Sequence, residues 1–144
     1  MKRWLIALTL ISALLTGCSG AKQEPAQPSP SAAAPAKAGT MVTISVNDLL
    51  KRVQAGEKPL IIDVREQSEW DAGHIEGARL MPLGTIESAI SKAGIAKDQE
   101  VILICRSGNR SAQAYRKLEA LGYTNLKNVT GGMNEWAKVG PVTR

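Results

Sequence analysis

Short apolar runs that alternate with helical stretches limit the possible folds of this chain more than any other feature of its sequence. Residues 60–64 and 100–104 form two such runs, followed directly by Arg65 and Cys105. Nearly continuous apolar runs of this length are typical of parallel strands buried on both faces. Strands separated by helices favour a mostly parallel sheet. We therefore predict an α/β fold over residues 41–144: a single small domain with a mostly parallel central sheet flanked by helices on both faces.

Turn and cap residues bound the individual elements. Strands are predicted over residues 43–44, 60–64, 79–81, 100–104 and 126–129. Helices are predicted from the cap Ser45 to Gly56 and over residues 67–72, 86–93, 111–121 and 133–139. One face of the helix over residues 111–121 is expected to pack in the core and carries Ala112, Tyr115, Leu118 and Leu121. In such folds chemistry collects at the carboxyl ends of the strands.

The first residues have the order of a secretory signal peptide. Lys2 and Arg3 precede an apolar run over residues 4–15, which is too short for a transmembrane span of about 20 residues. The following Leu-Thr-Gly-Cys at residues 15–18 resembles the lipobox of bacterial lipoproteins. That resemblance implies a signal peptide over residues 1–17 and an acylated Cys18 at the new N-terminus. The alternative is an ordinary signal cut a few residues later, with Cys18 lost.

Residues 18–40 are predicted to be a disordered tether, since they are rich in Ala, Pro and Ser and hold almost no large apolar side chain. The lipoprotein resemblance implies several acyl chains on Cys18, and more than one chain gives a stable membrane anchor. We expect the protein to be lipid-anchored in the bacterial cell envelope. Because Ser19 follows the lipidated cysteine where an Asp often retains lipoproteins at the inner membrane, we expect the outer membrane facing the periplasm in a Gram-negative cell.

Charge and cysteine content exclude several functions. The formal net charge of +5 includes Lys2 and Arg3, which leave with the signal, so the domain is only mildly basic. Its Lys and Arg residues form no run, which gives no support to nucleic-acid binding. With 2 Cys and 1 His in the chain, a zinc site lacks ligands. If Cys18 carries lipid, Cys105 has no disulfide partner and is either a buried, inert thiol or a reactive one.

Residues 105–111, Cys-Arg-Ser-Gly-Asn-Arg-Ser, lie between the strongest predicted strand and a predicted helix. A tight loop there points backbone N–H groups inward, next to the partial positive charge of the helix N-terminus. Such donors bind anions and lower the pKa of a thiol. Gly108 and Asn109 tolerate the positive φ that a curled loop needs. We predict Cys105 as the nucleophile, with a small buried core cysteine as the alternative. The predicted active-site loop comprises Arg106, Ser107, Gly108, Asn109, Arg110 and Ser111.

Two sets of motifs resemble those of the rhodanese family of sulfurtransferases. The first comprises Ile-Asp-Val-Arg-Glu at residues 62–66, Glu69-Trp70, Gly-His-Ile-Glu-Gly-Ala at residues 73–78, and Pro82. The second comprises residues 105–111, Leu-Gly-Tyr at residues 121–123, Gly131-Gly132, and Trp136. These blocks occur in the order and at the spacing of the family and cover nearly all of residues 41–142.

The resemblance implies a thiosulfate sulfurtransferase. Cys105 would take the outer sulfur of a donor such as thiosulfate and become a persulfide. Cyanide, a small thiol or a protein thiol would then remove that sulfur, in two covalent steps with ping-pong kinetics. The resemblance calls for no metal and no organic cofactor. Nothing in the sequence indicates an obligate dimer, and we expect a monomer.

Other functions stay open at this point. A non-enzymatic sulfur-relay or binding protein would use the same cysteine to serve one specific partner. A cysteine phosphatase or arsenate reductase is disfavoured, because the Arg that a phosphatase has six positions after its Cys is replaced here by Ser111. Phosphatases of this fold also use a longer loop, which fits a tetrahedral oxyanion. The short loop favours a single sulfur atom as cargo.

Charged residues near the loop are predicted to support it. Asp63 and Arg65 would orient the loop and tune its field, or alternatively form a structural ion pair. The resemblance implies that Arg106 helps to bind the oxyanion of the donor, for which its forked donors are suited. Arg110 is expected either to do the same or to pin the loop through Asp63 or Glu66.

Further motif residues are interpreted as structural. The rhodanese resemblance implies that His74 lies in a structural turn rather than acting as a general base, a role that geometry and not residue type establishes. Gly131-Gly132 is predicted to be a turn that lets the chain pack near the loop. Trp70 and Trp136 are interpreted as packing residues.

Overall fold

The computed structural model describes residues 39–144, and the predicted signal peptide, Cys18 and most of the predicted tether lie outside this range. A five-stranded sheet forms its centre, with the strands β1 (Thr43–Ser45), β2 (Ile61–Asp63), β3 (Arg79–Leu80), β4 (Val101–Ile104) and β5 (Leu126–Thr130). Their order across the sheet is β1-β5-β4-β2-β3, and all neighbouring strands are parallel. The prediction of a mostly parallel α/β sheet is confirmed.

Helices follow the strands as predicted: α1 (Val46–Gln54), α2 (Gln67–Asp71), α3 (Ile86–Lys92), α4 (Asn109–Ala120) and α5 (Gly132–Val139). The hydroxyl of Ser45 caps α1 by accepting the Asp48 N–H at 3.1 Å. Within the part of the chain that the structure describes, no helix has the length and apolar character needed to cross a membrane.

The two faces of the sheet are both buried, because successive residues of each strand point to opposite sides. Ile62 and Leu103 are register partners and pack on one side with residues of α3 and α4. Ile61 and Ile102 are also partners and pack on the other side with residues of α1 and α5. Helices therefore cover both faces, as the near-continuous apolar strands indicated.

The core face of α4 differs from the prediction. Its buried residues are Ser111, Ala114, Tyr115 and Leu118. Leu121, expected in the core, is 40% exposed because the helix ends at Ala120 and the chain turns there. The helix also begins at Asn109, two residues before the predicted start, which shortens the loop after β4 and brings Ser111 into the first turn of α4.

Candidate active site

Cys105 lies directly after β4, at the carboxyl edge of the sheet, and is 1% exposed. The chain then reverses within three residues. Gly108 makes this possible because it precedes α4 with a φ of +106°, a conformation that other residues adopt only with strain. The tight turn closes a small loop over the sulfur, as the order of residues 105–111 predicted.

The sulfur of Cys105 is the acceptor at the centre of this loop. The Gly108 N–H donates to it at 3.1 Å, and the Ser111 hydroxyl lies 3.4 Å away. Burial raises the pKa of the Cys105 thiol, but hydrogen bonds from the Ser111 hydroxyl and from the N–H groups of Ser111, Ser107 and Gly108 outweigh burial. The net result is a pKa below the ordinary value of a thiol. The loop therefore favours a thiolate, the nucleophilic form of cysteine.

The first residues of α5 hydrogen-bond to the backbone of the sulfur loop. The N–H groups of Met133 and Asn134 donate to the carbonyl oxygens of Cys105 and Arg106, at 2.8 and 2.9 Å. Gly132 fits because a Cβ there would lie 2.4 Å from the Cys105 oxygen. The predicted role of Gly131-Gly132, a turn that allows close packing against the loop, is what the structure shows.

Asn128 is a site residue that the sequence interpretation missed. It lies on β5, is 7% exposed, and its side-chain amide donates to the Gly108 carbonyl oxygen at 3.4 Å. The Ser111 hydroxyl lies 3.0 Å from the same oxygen and shares its single proton between this oxygen and the Cys105 sulfur. A polar residue among the buried residues of a central strand was the only available signal, and it did not indicate which loop the side chain contacts.

Asp63 and Arg65 form a buried ion pair. The guanidinium of Arg65 donates from two of its nitrogens to the Asp63 carboxylate, at 2.7 to 3.0 Å. It also donates to the carbonyl oxygens of Glu69 and Gly73, at 3.0 and 2.8 Å. No hydrogen bond joins this pair to the described atoms of the sulfur loop. The pair thus fixes the segment around α2, which matches the structural alternative for these two residues.

Arg110 is fixed by a carboxylate, but not by the one expected. Its two terminal nitrogens donate to the two oxygens of Glu69, both at 2.7 Å, rather than to Asp63 or Glu66. Hydrogen bonding to Arg110 lowers the pKa of Glu69 to about 2, and the same pair raises the pKa of Arg110. The residues are 41 positions apart, so no local pattern could identify this partner.

The other loop residues face solvent. Arg106, Ser107 and Asn109 are exposed, and among residues 39–144 no ion-pair partner faces the Arg106 guanidinium. Beside the loop lies a groove of about 320 Å³ whose lining includes Arg65, Glu69 and Arg106. This groove gives a ligand access to the edge of the loop with one free guanidinium beside it.

His74 and the two tryptophans of the motifs take structural positions. The His74 ring stacks on Trp70 with 3.7 Å between ring centroids, and its backbone pairs with Thr143. Trp136 is fully buried, and its Nε1–H donates to the Pro141 carbonyl oxygen at 2.8 Å. In the described part of the chain, no group of three or more His, Cys, Asp or Glu is arranged to hold a metal ion.

A buried thiol that accepts hydrogen bonds, in a loop between a parallel strand and a helix, has the geometry that covalent cysteine chemistry needs. The family model for the rhodanese-like domain matches residues 45–139. The chain belongs to the rhodanese-like family, which is a family of sulfurtransferases.

Named relatives agree with this family. The chain is 36% identical over 103 residues to the probable adenylyltransferase/sulfurtransferase MoeZ of Mycobacterium tuberculosis. This match covers 72% of this chain and 26% of MoeZ. It is 33% identical over 99 residues to the putative sulfur carrier protein YrkF of Bacillus subtilis, covering 69% of this chain and 52% of YrkF. The chain thus spans about a quarter and about half of these two proteins.

A solved structure has the same fold. The crystal structure of a rhodanese-like domain protein from Staphylococcus aureus is 32% identical and superposes with a TM-score of 0.61. The match covers 67% of this chain and 91% of that protein.

Proposed function

We propose that this protein is a thiosulfate-type sulfurtransferase that carries sulfane sulfur as a persulfide on Cys105. The observation that carries the proposal is the hydrogen bonding of the Cys105 sulfur, which accepts the Gly108 N–H at 3.1 Å and has the Ser111 hydroxyl 3.4 Å away. These donors stabilise an anionic sulfur, whether it is the attacking thiolate or the persulfide that follows.

The reaction follows from this geometry in two balanced steps. The Cys105 thiolate attacks the outer sulfur of thiosulfate, a new S–S bond forms, and the old S–S bond breaks with sulfite leaving on the electron pair. An acceptor such as cyanide then attacks the outer sulfur of the persulfide, leaves as thiocyanate, and restores the thiolate. A thiol acceptor would leave as its own persulfide. Neither step needs an external oxidant, reductant or metal ion.

Arg106 is the residue that we assign to the anionic donor. Its guanidinium is exposed at the groove beside the loop, where a forked set of donors suits an oxyanion. We further propose that the mature protein is a monomer anchored through lipid on Cys18 in the bacterial cell envelope, because residues 1–18 have the order of a lipoprotein signal.

Intact-protein mass spectrometry tests the proposal. The domain from residue 41 onward is reduced, treated with thiosulfate, and weighed alongside Cys105→Ser. We expect one added sulfur atom on the parent domain, its removal by cyanide, and no addition on the Ser variant. Folded, reduced protein that gains no sulfur would refute a thiosulfate donor.

A sulfur-relay protein is the second candidate, because one relative is named a putative sulfur carrier protein. Steady-state turnover with thiosulfate and cyanide separates the two functions, since a relay protein loads once and stalls with small acceptors. A phosphatase is disfavoured, because the sulfur is approached by the Ser111 hydroxyl at the position where phosphatases have their Arg.

A further inference from the structure

Three arginines lie around the groove and the sulfur loop, and two of them form ion pairs with carboxylates of the protein. Arg65 is paired with Asp63 at 2.7 Å, and the side chains are 7% and 1% exposed. Arg110 is paired with Glu69 at 2.7 Å, with both side chains partly exposed. Arg106 has no such partner among residues 39–144. The described site thus presents one uncompensated guanidinium to an incoming anion.

Glu69 is held in place from several directions. Its carbonyl oxygen accepts from Arg65 at 3.0 Å, and its carboxylate closes a capping box with the backbone of Glu66 at the start of α2. Both carboxylate oxygens then accept from Arg110. A bidentate pair between a fixed carboxylate and a planar guanidinium is the strong form of this interaction. Glu69 therefore links the buried Asp63–Arg65 pair to the sulfur loop, because it accepts from Arg65 with its carbonyl oxygen and from Arg110 with its carboxylate.

We propose that Glu69 is a positioning residue that sets the anion specificity of the sulfur site, because it occupies both terminal nitrogens of Arg110 and so leaves Arg106 as the guanidinium that binds the oxyanion of the substrate. The proposal rests on the sulfurtransferase function proposed above and names its substrate class. That class is a compact anion that needs one guanidinium, as thiosulfate does, rather than a phosphate or arsenate clamped by a second one.

The charge of Glu69 and a purely structural role of Glu69 predict opposite changes in the ionisation of Cys105. Arg110 interacts with the charge of Cys105, and Glu66 and Glu69 are the carboxylates that face Arg110. Removing the charge of Glu69 leaves Arg110, a residue of the sulfur loop, with only the weaker interaction with Glu66, which favours the thiolate and bound anions. If Glu69 only kept the loop folded, its loss would disturb the hydrogen bonds to the sulfur and disfavour the thiolate.

Glu69→Gln is the test, because Gln keeps the size of the side chain and removes its charge. We expect sulfate and phosphate to protect Cys105 from iodoacetamide at roughly fivefold lower concentration, the upper end of the effect of a solvent-accessible ion pair. We expect the pH profile of alkylation to move to lower pH. The KM for thiosulfate should fall while kcat changes less. Glu69→Asp, which keeps the charge, should show neither shift. Tighter protection or a lower-pH alkylation profile in Glu69→Asp would overturn the proposal even if Glu69→Gln does not fold.

Two controls make the result specific. Glu87→Gln removes one carboxylate from the exposed Glu87–Lys117 pair and should leave protection unchanged. Adding Arg110→Gln to Glu69→Gln should abolish the tighter anion binding. Unchanged or weaker protection in Glu69→Gln, or an alkylation profile moved to higher pH, would overturn the proposal. Alkylation needs no sulfur transfer, so this outcome is distinct from a failure of the parent domain to form a persulfide.

Discussion

Replacing Gly132 by Ala tests the close approach of α5 to the sulfur loop. A Cβ there would lie 2.4 Å from the Cys105 carbonyl oxygen and 2.8 Å from the carbonyl carbon and oxygen of Arg106. All three atoms belong to the backbone, so no side-chain rotation relieves the overlap. The φ of +57° costs an L residue about 1–2 kcal/mol, and overpacking adds about 1–3 kcal/mol. We therefore expect a loss of about 2–5 kcal/mol in the free energy of unfolding.

Urea denaturation at 25 °C measures this loss, and Gly56→Ala is the matched control. Gly56 has a φ of +83°, and a Cβ there meets nothing within 4 Å, so this variant has the strain without the overlap. The lower entropy of the unfolded Ala chain affects both variants equally. We expect Gly132→Ala to lose about 1–3 kcal/mol more of the free energy of unfolding than the control. The rate at which Cys105 is alkylated should also change in Gly132→Ala and not in the control. Equal losses in the two variants would refute the overlap argument.

Three further variants test individual contacts. Ser111→Ala removes a donor to the sulfur, so alkylation of Cys105 should move to higher pH; an unchanged profile would contradict the assigned hydrogen bond. Asp63→Ala leaves the Arg65 charge buried without its partner and should cost about 3–5 kcal/mol in urea denaturation, whereas a loss below about 1 kcal/mol would show that Arg65 finds water instead. Because the pKa of Glu69 is lowered from 4.5 to about 2 in the folded state, its stabilisation is present above pH 4.5 and disappears as pH falls toward 2. Acid unfolding of Glu69→Gln should lack that portion of the pH dependence, and curves that differ only by a constant would argue against it.

Local patterns in the sequence were sufficient to predict the fold. Apolar runs with turn residues at their ends identified the strands, because strands buried on both faces are apolar at most positions. The alternation of strands and helices then predicted a parallel sheet covered on both sides, since a parallel connection needs a crossover. The placement of the cysteine loop followed as well, because it joins the most apolar strand, β4, to a helix.

What the sequence determined about the site is the set of residues in one continuous segment. Residues 105–111 predicted a curled loop around a thiol, and the structure closes that loop through Gly108 with Ser111 beside the sulfur. Such a loop is a local structure, whose shape depends on positive-φ residues and on the start of the next helix. The nucleophile could therefore be predicted from the residue types within this one segment.

Only the tertiary structure decided which distant groups hold that loop. Glu69 lies 41 residues before Arg110, Asn128 lies 20 residues after Gly108, and Gly132 supports the loop from another helix. The sequence offered several carboxylates as partners of Arg110, and the two that we named, Asp63 and Glu66, were not the partner. Such contacts depend on how strands and helices pack at one edge of the sheet. Residues that are far apart in the sequence meet there, so a local sequence pattern does not identify them.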